Sequence, residues 1–293
     1  MSPVNITRDD LVRGITEYIK NMPSLPTSVG KVLEVCDNPQ TSPADLNYVI
    51  SLDPVLVGRV LKLLNSAYYG LGQRVTSLVR AIIMLGINTI KNLALSSAIM
   101  GILPTHKSYQ GLDMEGFWRH SLCVGTAAKF LAKRRGIDPK QLEEYFAAGL
   151  LHDIGKIPLN AVLSKDYMLV VTAADREQIP LFQAEDKTLN INHCAVGAMI
   201  VKAWNLAGPV GESIVHHHNL VGYPGNHSDI LNNVAAANHF ASVWEIGFSG
   251  DRYPVKPEKQ IWQSLGLGDD AFEGIEKTVN EEIEKAKVFL SIQ

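Results

Sequence analysis

Apolar residues recur along this chain every three or four positions and almost nowhere every second one. In ADLNYVISLDPVLVGRVLKLLN, Leu46, Val49 and Ile50 form one stripe and Val57, Val60, Leu61 and Leu64 another, the spacing that lines one face of a helix. Helix starts are marked as well. Ser42, Asp53 and Asp138 each precede a proline, pairing a side-chain oxygen for free amides with a residue that has no N–H to leave unpaired in the first turn. Gly86, Gly101 and Gly136 follow apolar runs and predict stops. The pattern predicts further helices over about 113–135, 139–152, 193–204, 208–218, 229–246 and 271–290. With no strand–helix alternation, internal repeat or low-complexity segment, the expectation is an all-α, multi-helical chain.

Gly, Pro and polar residues in GILPTHKSYQGLD, residues 101 to 113, interrupt two helical runs. The expected division is an N-terminal helical part (1–107), a second helical part (108–250) and a C-terminal tail (251–293). The tail's DDAFEGIEKTVNEEIEKAKVFL reads as one acidic amphipathic helix packed through Phe272, Ile275, Val279, Ile283 and Phe289.

Composition narrows the class. At 293 residues and 46% hydrophobic, the chain can bury a large core. Net charge is −3 and the basic residues are spread out, with only short clusters such as Lys133, Arg134 and Arg135, which argues against a nucleic-acid surface built on bulk charge. Cys36, Cys123 and Cys194 are few and far apart, as in a reducing compartment. MSPVNITRDDLVRGI carries acids where a signal peptide needs a basic and then an apolar run, and no stretch of about 18 uncharged apolar residues occurs. The expectation is a cytoplasmic protein that does not enter a membrane.

The chemistry is concentrated in GLLHDIGKIPL, residues 149 to 159, where His152 and Asp153 end an apolar run. Eight of the nine histidines lie after the interruption, and His120, His152, His193 and the run His216, His217, His218 fall in helices or at their ends. Neutral imidazole suits Zn and Fe, and a carboxylate adds the harder donor that Mn and Fe prefer. Singly, each has a plain reading: His120 as a core residue behind Phe117 and Trp118, Asp153 as a buried acid paired with Lys156, the triple histidine as a helix end where imidazolium suits the dipole. Their placement on successive helices predicts that they converge, either as a metal site or as histidines packed between helices and hydrogen-bonded to one another.

The segments LPTSVGKVLEV, LNYVISLDPVLVGRVLKLLNSAYYGL, TSLVRAIIMLGINTIKNLAL, FWRHSLCVGTAAKFLA and AAGLLHDIGKIPL, in that order between Leu25 and His218, resemble the HDOD family of bacterial signalling proteins. That resemblance implies a fold related to the HD and HD-GYP metal-dependent phosphohydrolases and a regulatory, non-catalytic role. By similarity to the HD-GYP pattern, His120 matches the first histidine ligand, His152 and Asp153 the paired motif, Lys156 the lysine that contacts phosphate, and His193 the ligand on the next helix. His217 and His218 match the later pair, and Gly222, Tyr223 and Pro224 preserve the tripeptide, though after a shorter segment than in the catalytic family. Two positions depart: Gly116 stands where a glutamate is expected, and Asn238 where an aspartate would close the ligand set.

The implied cofactor is one or two divalent ions, Fe, Mn or Zn. Asparagine offers only a neutral carbonyl oxygen, so a second ion beside the single carboxylate of Asp153 gains little compensating charge. The expected function is a regulatory module that binds a signalling protein or a nucleotide. The alternative is an active phosphohydrolase of a nucleotide or cyclic dinucleotide. In NSAYYGLGQRV, Tyr68 and Tyr69 beside two glycines suggest a partner surface on a loop.

Overall fold

The structure is a computed structural model that describes residues 6–104, 111–268 and 276–291. Its helices are α1 (Arg8–Asn21), α2 (Thr27–Cys36), α3 (Pro43–Ser51), α4 (Pro54–Leu64), α5 (Leu78–Leu85), α6 (Ile87–Ile102), α7 (Met114–Arg134) and α8 (Leu142–Leu151). They continue with α9 (Lys156–Leu163), α10 (Lys165–Glu177), α11 (Leu181–Leu189), α12 (His193–Trp204), α13 (Gly208–His216), α14 (Ser228–Val243), α15 (Lys259–Leu265) and α16 (Glu276–Ala286), which runs into a 3-10 turn (Lys287–Ser291). Among the described residues there is no strand, and the fold is all-α as the periodicity requires.

Two of the three expected starts form caps. Ser42 and Asp45 make a reciprocal capping box at α3, and the Asp53 carboxylate accepts from the amides of Val55 and Leu56 at α4. Asp138 caps a turn instead: its Oδ1 accepts from the Lys140 amide, and α8 starts only at Leu142. Gly86 and Gly136 do end helices, both at positive φ. Gly101 does not: it lies inside α6, where the Arg59 guanidinium occupies the space its missing side chain leaves. In the tail, Val279, Ile283 and Phe289 are buried, whereas Phe272 and Ile275 lie outside the described residues, as does part of the interruption at 101 to 113.

The core is built around α7, which packs against α8, α14 and α16. On the far side of α8 sit α6 and α13, while α1 leans on α9 and α12. The α7–α8 crossing is a backbone contact. A Cβ on Gly149 would lie 2.8 Å from the Gly125 Cα, and one on Gly125 would lie 2.8 Å from the Phe146 carbonyl oxygen. A second such joint follows: a Cβ on Gly155 would fall 1.9 Å from the His193 carbonyl oxygen, so the turn after α8 presses on the start of α12. The two glycines that bracket LLHDI thus carry its histidine and aspartate against two neighbouring helices. No single described helix is long and apolar enough to cross a membrane.

Gly149→Ala is therefore expected to destabilise the fold by about 1–3 kcal/mol, the range for overpacking a core. Gly30→Ala, in α2 where a Cβ meets nothing within 4 Å, should instead stabilise by roughly 0.5–1 kcal/mol through helix propensity. Urea unfolding of the two variants against the parent measures both, and equal effects would sink the backbone-contact argument.

Candidate metal centre

The donors come from helix ends that the glycine joints bring together. His120 stands in α7, His152 and Asp153 close α8, Lys156 opens α9, His193 opens α12, His217 and His218 follow α13, and Asn238 faces them from α14. All are buried except His218, which is partly exposed. His152 Nδ1 donates to the Gly149 carbonyl at 2.7 Å and His217 Nδ1 to the Ser213 carbonyl at 2.8 Å. His193 Nδ1 bonds Glu185 Oε2 at 2.6 Å. Each of the three thereby turns its Nε2 towards Asp153.

His193 Nε2 and His217 Nε2 are 3.3 Å apart, and they lie 3.4 and 3.5 Å from Asp153 Oδ1. His218 adjoins the two histidines of this corner: one nitrogen from each of His193, His217 and His218 lies within 4.8 Å of the others, and the His218 ring stacks on Phe182 at 4.3 Å. On the other side His120, His152 and Asp153 form a second triad within the same limit. His152 Nε2 is 3.3 Å from Asp153 Oδ2.

These residues fit a divalent cation. Asp153 Oδ1 and His152 Nε2 are buried with no hydrogen-bond partner, a costly arrangement for polar atoms unless something else meets them. The triangle of His193 Nε2, His217 Nε2 and Asp153 Oδ1 has edges of 3.3 to 3.5 Å. Three donors about 2.1 Å from one tetrahedral ion would be roughly 3.4 Å apart.

Charge in the centre is tightly held. Burial alone would raise the Asp153 carboxyl, but His152 and Lys156 overcome it and keep the group well below the usual range. Burial drives His120 down to about 3, so it is neutral. For His193 burial acts downward too, yet the adjoining Glu185 outweighs it and raises the imidazole to about 10. Lys156 Nζ is turned inward, 2.6 Å from Asp153 Oδ2 and 3.3 Å from Ser249 Oγ. Asn238 Oδ1 accepts from His120 Nε2 at 2.9 Å. Where the expected glutamate is missing, the Gly116 carbonyl accepts the Phe248 amide at 2.9 Å, and Gly247 at φ 73° brings the loop backbone onto α7.

Other candidate residues stand apart from the cluster. His216 pairs with Glu212 on the outer side of α13, and Tyr223 donates to the same carboxylate, so Gly222, Tyr223 and Pro224 adjoin α13 and not the donors. Tyr68 and Tyr69 are half-buried in the turn after α4. The Tyr68 ring contacts Phe146 and Phe289, and its hydroxyl accepts from Lys129 at 3.0 Å. Sequence reasoning passed over Glu185, Tyr167 and Asp251. The first two bond each other beside His193, and Asp251 is a largely buried acid raised by burial and facing Lys156. A cavity of about 140 Å³ between the 254–258 segment and α14 reaches His217, His218, Asn238 and His239.

The chain matches the family model for the HDOD domain over residues 22–220. It is similar to the crystal structure of an HDOD domain protein of unknown function from Geobacter sulfurreducens, with 25% identity, 96% of this chain and 98% of that one covered, and a TM-score of 0.72. A candidate phosphohydrolase from Shewanella amazonensis SB2B shares the fold, at 24% identity over 94% of this chain and 98% of that one, TM-score 0.65. An uncharacterized protein of Treponema pallidum (strain Nichols) is 27% identical over 228 residues, 78% of this chain, which spans only 44% of that relative's length.

Zinc at a hundred times its dissociation constant is expected to stabilise the folded protein by about 2.7 kcal/mol, seen as a rise in Tm, and His193→Ala should remove the rise. A Tm that zinc, manganese and iron all leave unmoved would show that the cluster holds no ion.

Proposed function

The chain belongs to the HDOD domain family, and we propose that it works as a regulatory module in cytoplasmic signal transduction, binding a signalling protein or a nucleotide over a metal centre that does not turn substrate over. His193, His217, His218 and Asp153 would hold one divalent ion, and His120 and His152 would share Asp153 with a second. A bound ion supplies positive charge and Lewis acidity that can polarise a phosphate oxygen or a water.

The observation that carries the regulatory reading is the His120–Asn238 hydrogen bond. A neutral amide stands where a second carboxylate would be needed, and it engages the very nitrogen of His120 that turns towards it. Asp153 Oδ2, the oxygen on that side, is already committed to Lys156. With the ammonium facing inward, Lys156 neutralises Asp153 and is not presented to a phosphate in the cavity. Two cavities adjoin the donors, one of about 140 Å³ reaching His217, His218 and Asn238 and one of about 320 Å³ reaching Cys194 and His218.

The two donor triads, one of three histidines and one of two histidines with Asp153, favour a second reading, a metal-dependent phosphohydrolase of a nucleotide or cyclic dinucleotide. Protein purified without chelator, supplied with Mn or Fe and assayed with bis(p-nitrophenyl) phosphate, separates the two. The regulatory reading expects no turnover above the metal blank, Asn238→Asp to raise bound metal without creating turnover, and His152→Ala to lower bound metal. Turnover by the parent that His152→Ala abolishes would replace it with the second reading.

A further inference from the structure

The three imidazoles that point Nε2 at Asp153 are not anchored alike. His152 and His217 rest on backbone carbonyls three and four residues earlier in their own helices, which are neutral acceptors. His193 rests on a carboxylate from another helix, Glu185 in α11. Glu185 is fully buried, and its own position is over-determined: Oε2 also accepts the His193 backbone amide at 2.9 Å, and Oε1 accepts the Tyr167 hydroxyl at 2.5 Å. Three donors, two from His193 and one from Tyr167, thus converge on one buried carboxylate and hold it in place.

A carboxylate on Nδ1 does two things to an imidazole. It fixes the ring so that Nε2 faces the corner, and once an ion has displaced the Nε2 proton it strengthens that nitrogen as a donor. Both effects act at the corner where His193, His217 and Asp153 Oδ1 already have the spacing of a tetrahedral face. The opposite corner has no such support: His152 rests on a backbone carbonyl, and His120 Nε2 is bonded to the amide oxygen of Asn238.

We infer that Glu185 is the positioning residue of the centre, and that by fixing His193 it makes the His193, His217 and His218 corner the first to take up a divalent cation. This rests on the metal-centre reading above, and goes beyond it in ranking the two corners and assigning the cause to a residue that touches no ion.

The full chain, stripped of metal and titrated with zinc alone, provides the test. Glu185→Gln keeps the shape of the side chain and a carbonyl to accept from Nδ1 but removes the charge. It should weaken zinc binding by about 10- to 100-fold, the usual effect of losing an outer partner of a ligand, and Glu185→Asp should recover part of the loss. If Glu185→Gln lowers the Tm of the zinc-free protein while the folded protein binds zinc as tightly as the parent, Glu185 is merely structural and the inference fails. Should the variants not fold, the parent answers by itself through ¹⁵N-histidine spectra: the first equivalent of zinc should move His193, His217 and His218 before His120 and His152. The reverse order overturns the inference alone, and the absence of any zinc-dependent shift overturns both it and the metal centre.

Discussion

The centre depends on helices that touch through their backbones. Where α7 crosses α8, Gly125 and Gly149 leave no room for a Cβ on either side, and six residues after Gly149, Gly155 meets the carbonyl of His193 in the same way. An imidazole reaches only a few ångströms beyond its backbone, so donors on α7, α8 and α12 meet only where the register of the helix contacts puts them level with one another. The apolar burial that holds the bundle together, with Phe117, Trp118, Leu122, Leu150 and Leu151 all enclosed, is generic. The glycine joints make it specific, setting where along each helix the contact falls and hence that His120, His152, Asp153 and His193 share one small volume.

Enclosing that volume creates an electrostatic problem that the fold resolves with local partners. Asp153 and Glu185 are both buried, and neither stands alone: Lys156 meets the first, Tyr167 and His193 the second. A buried ion pair of this kind contributes little net stability, since desolvation offsets most of the attraction. What it does secure is orientation. The inward turn of Lys156 and the His120–Asn238 bond leave Asp153 Oδ1 as the oxygen that still lacks a partner, which is why the arrangement is lopsided and not a symmetric two-ion site.

Much of this was legible in the residues. Helical spacing identified the fold class, and the caps at Ser42 and Asp53 formed as their side chains require. The clustering of histidines on successive helices led to the residues that do converge, with His216 the member of its run that turns away. What escaped lay between 155 and 192, where Gly155, Pro158 and Pro180 break the apolar rhythm and α9, α10 and α11 follow one another as short helices. Glu185 is in that stretch. An acid in an unrecognised helix, eight residues before a histidine, carries no local signal of the bond it makes, because the bond depends on the angle between α11 and α12. The glycine neighbours of Tyr68 and Tyr69 point to a turn, and both rings stand half-buried in one, but the rings that pack on Tyr68 lie some 80 and more than 200 residues away in the chain, at Phe146 and Phe289, beyond what local sequence signals.

The enclosure of the donors also bears on time. Asp153 has no exposed surface, and His152, His193 and His217 have almost none, so an ion cannot exchange with solvent at the rate at which a surface site would. Entry and exit would run through the cavity beside the 254–258 segment, which reaches His217, His218 and Asn238. A centre of this kind would exchange its ion from the side of His218, the partly exposed donor, while Asp153 stays shielded behind the other histidines.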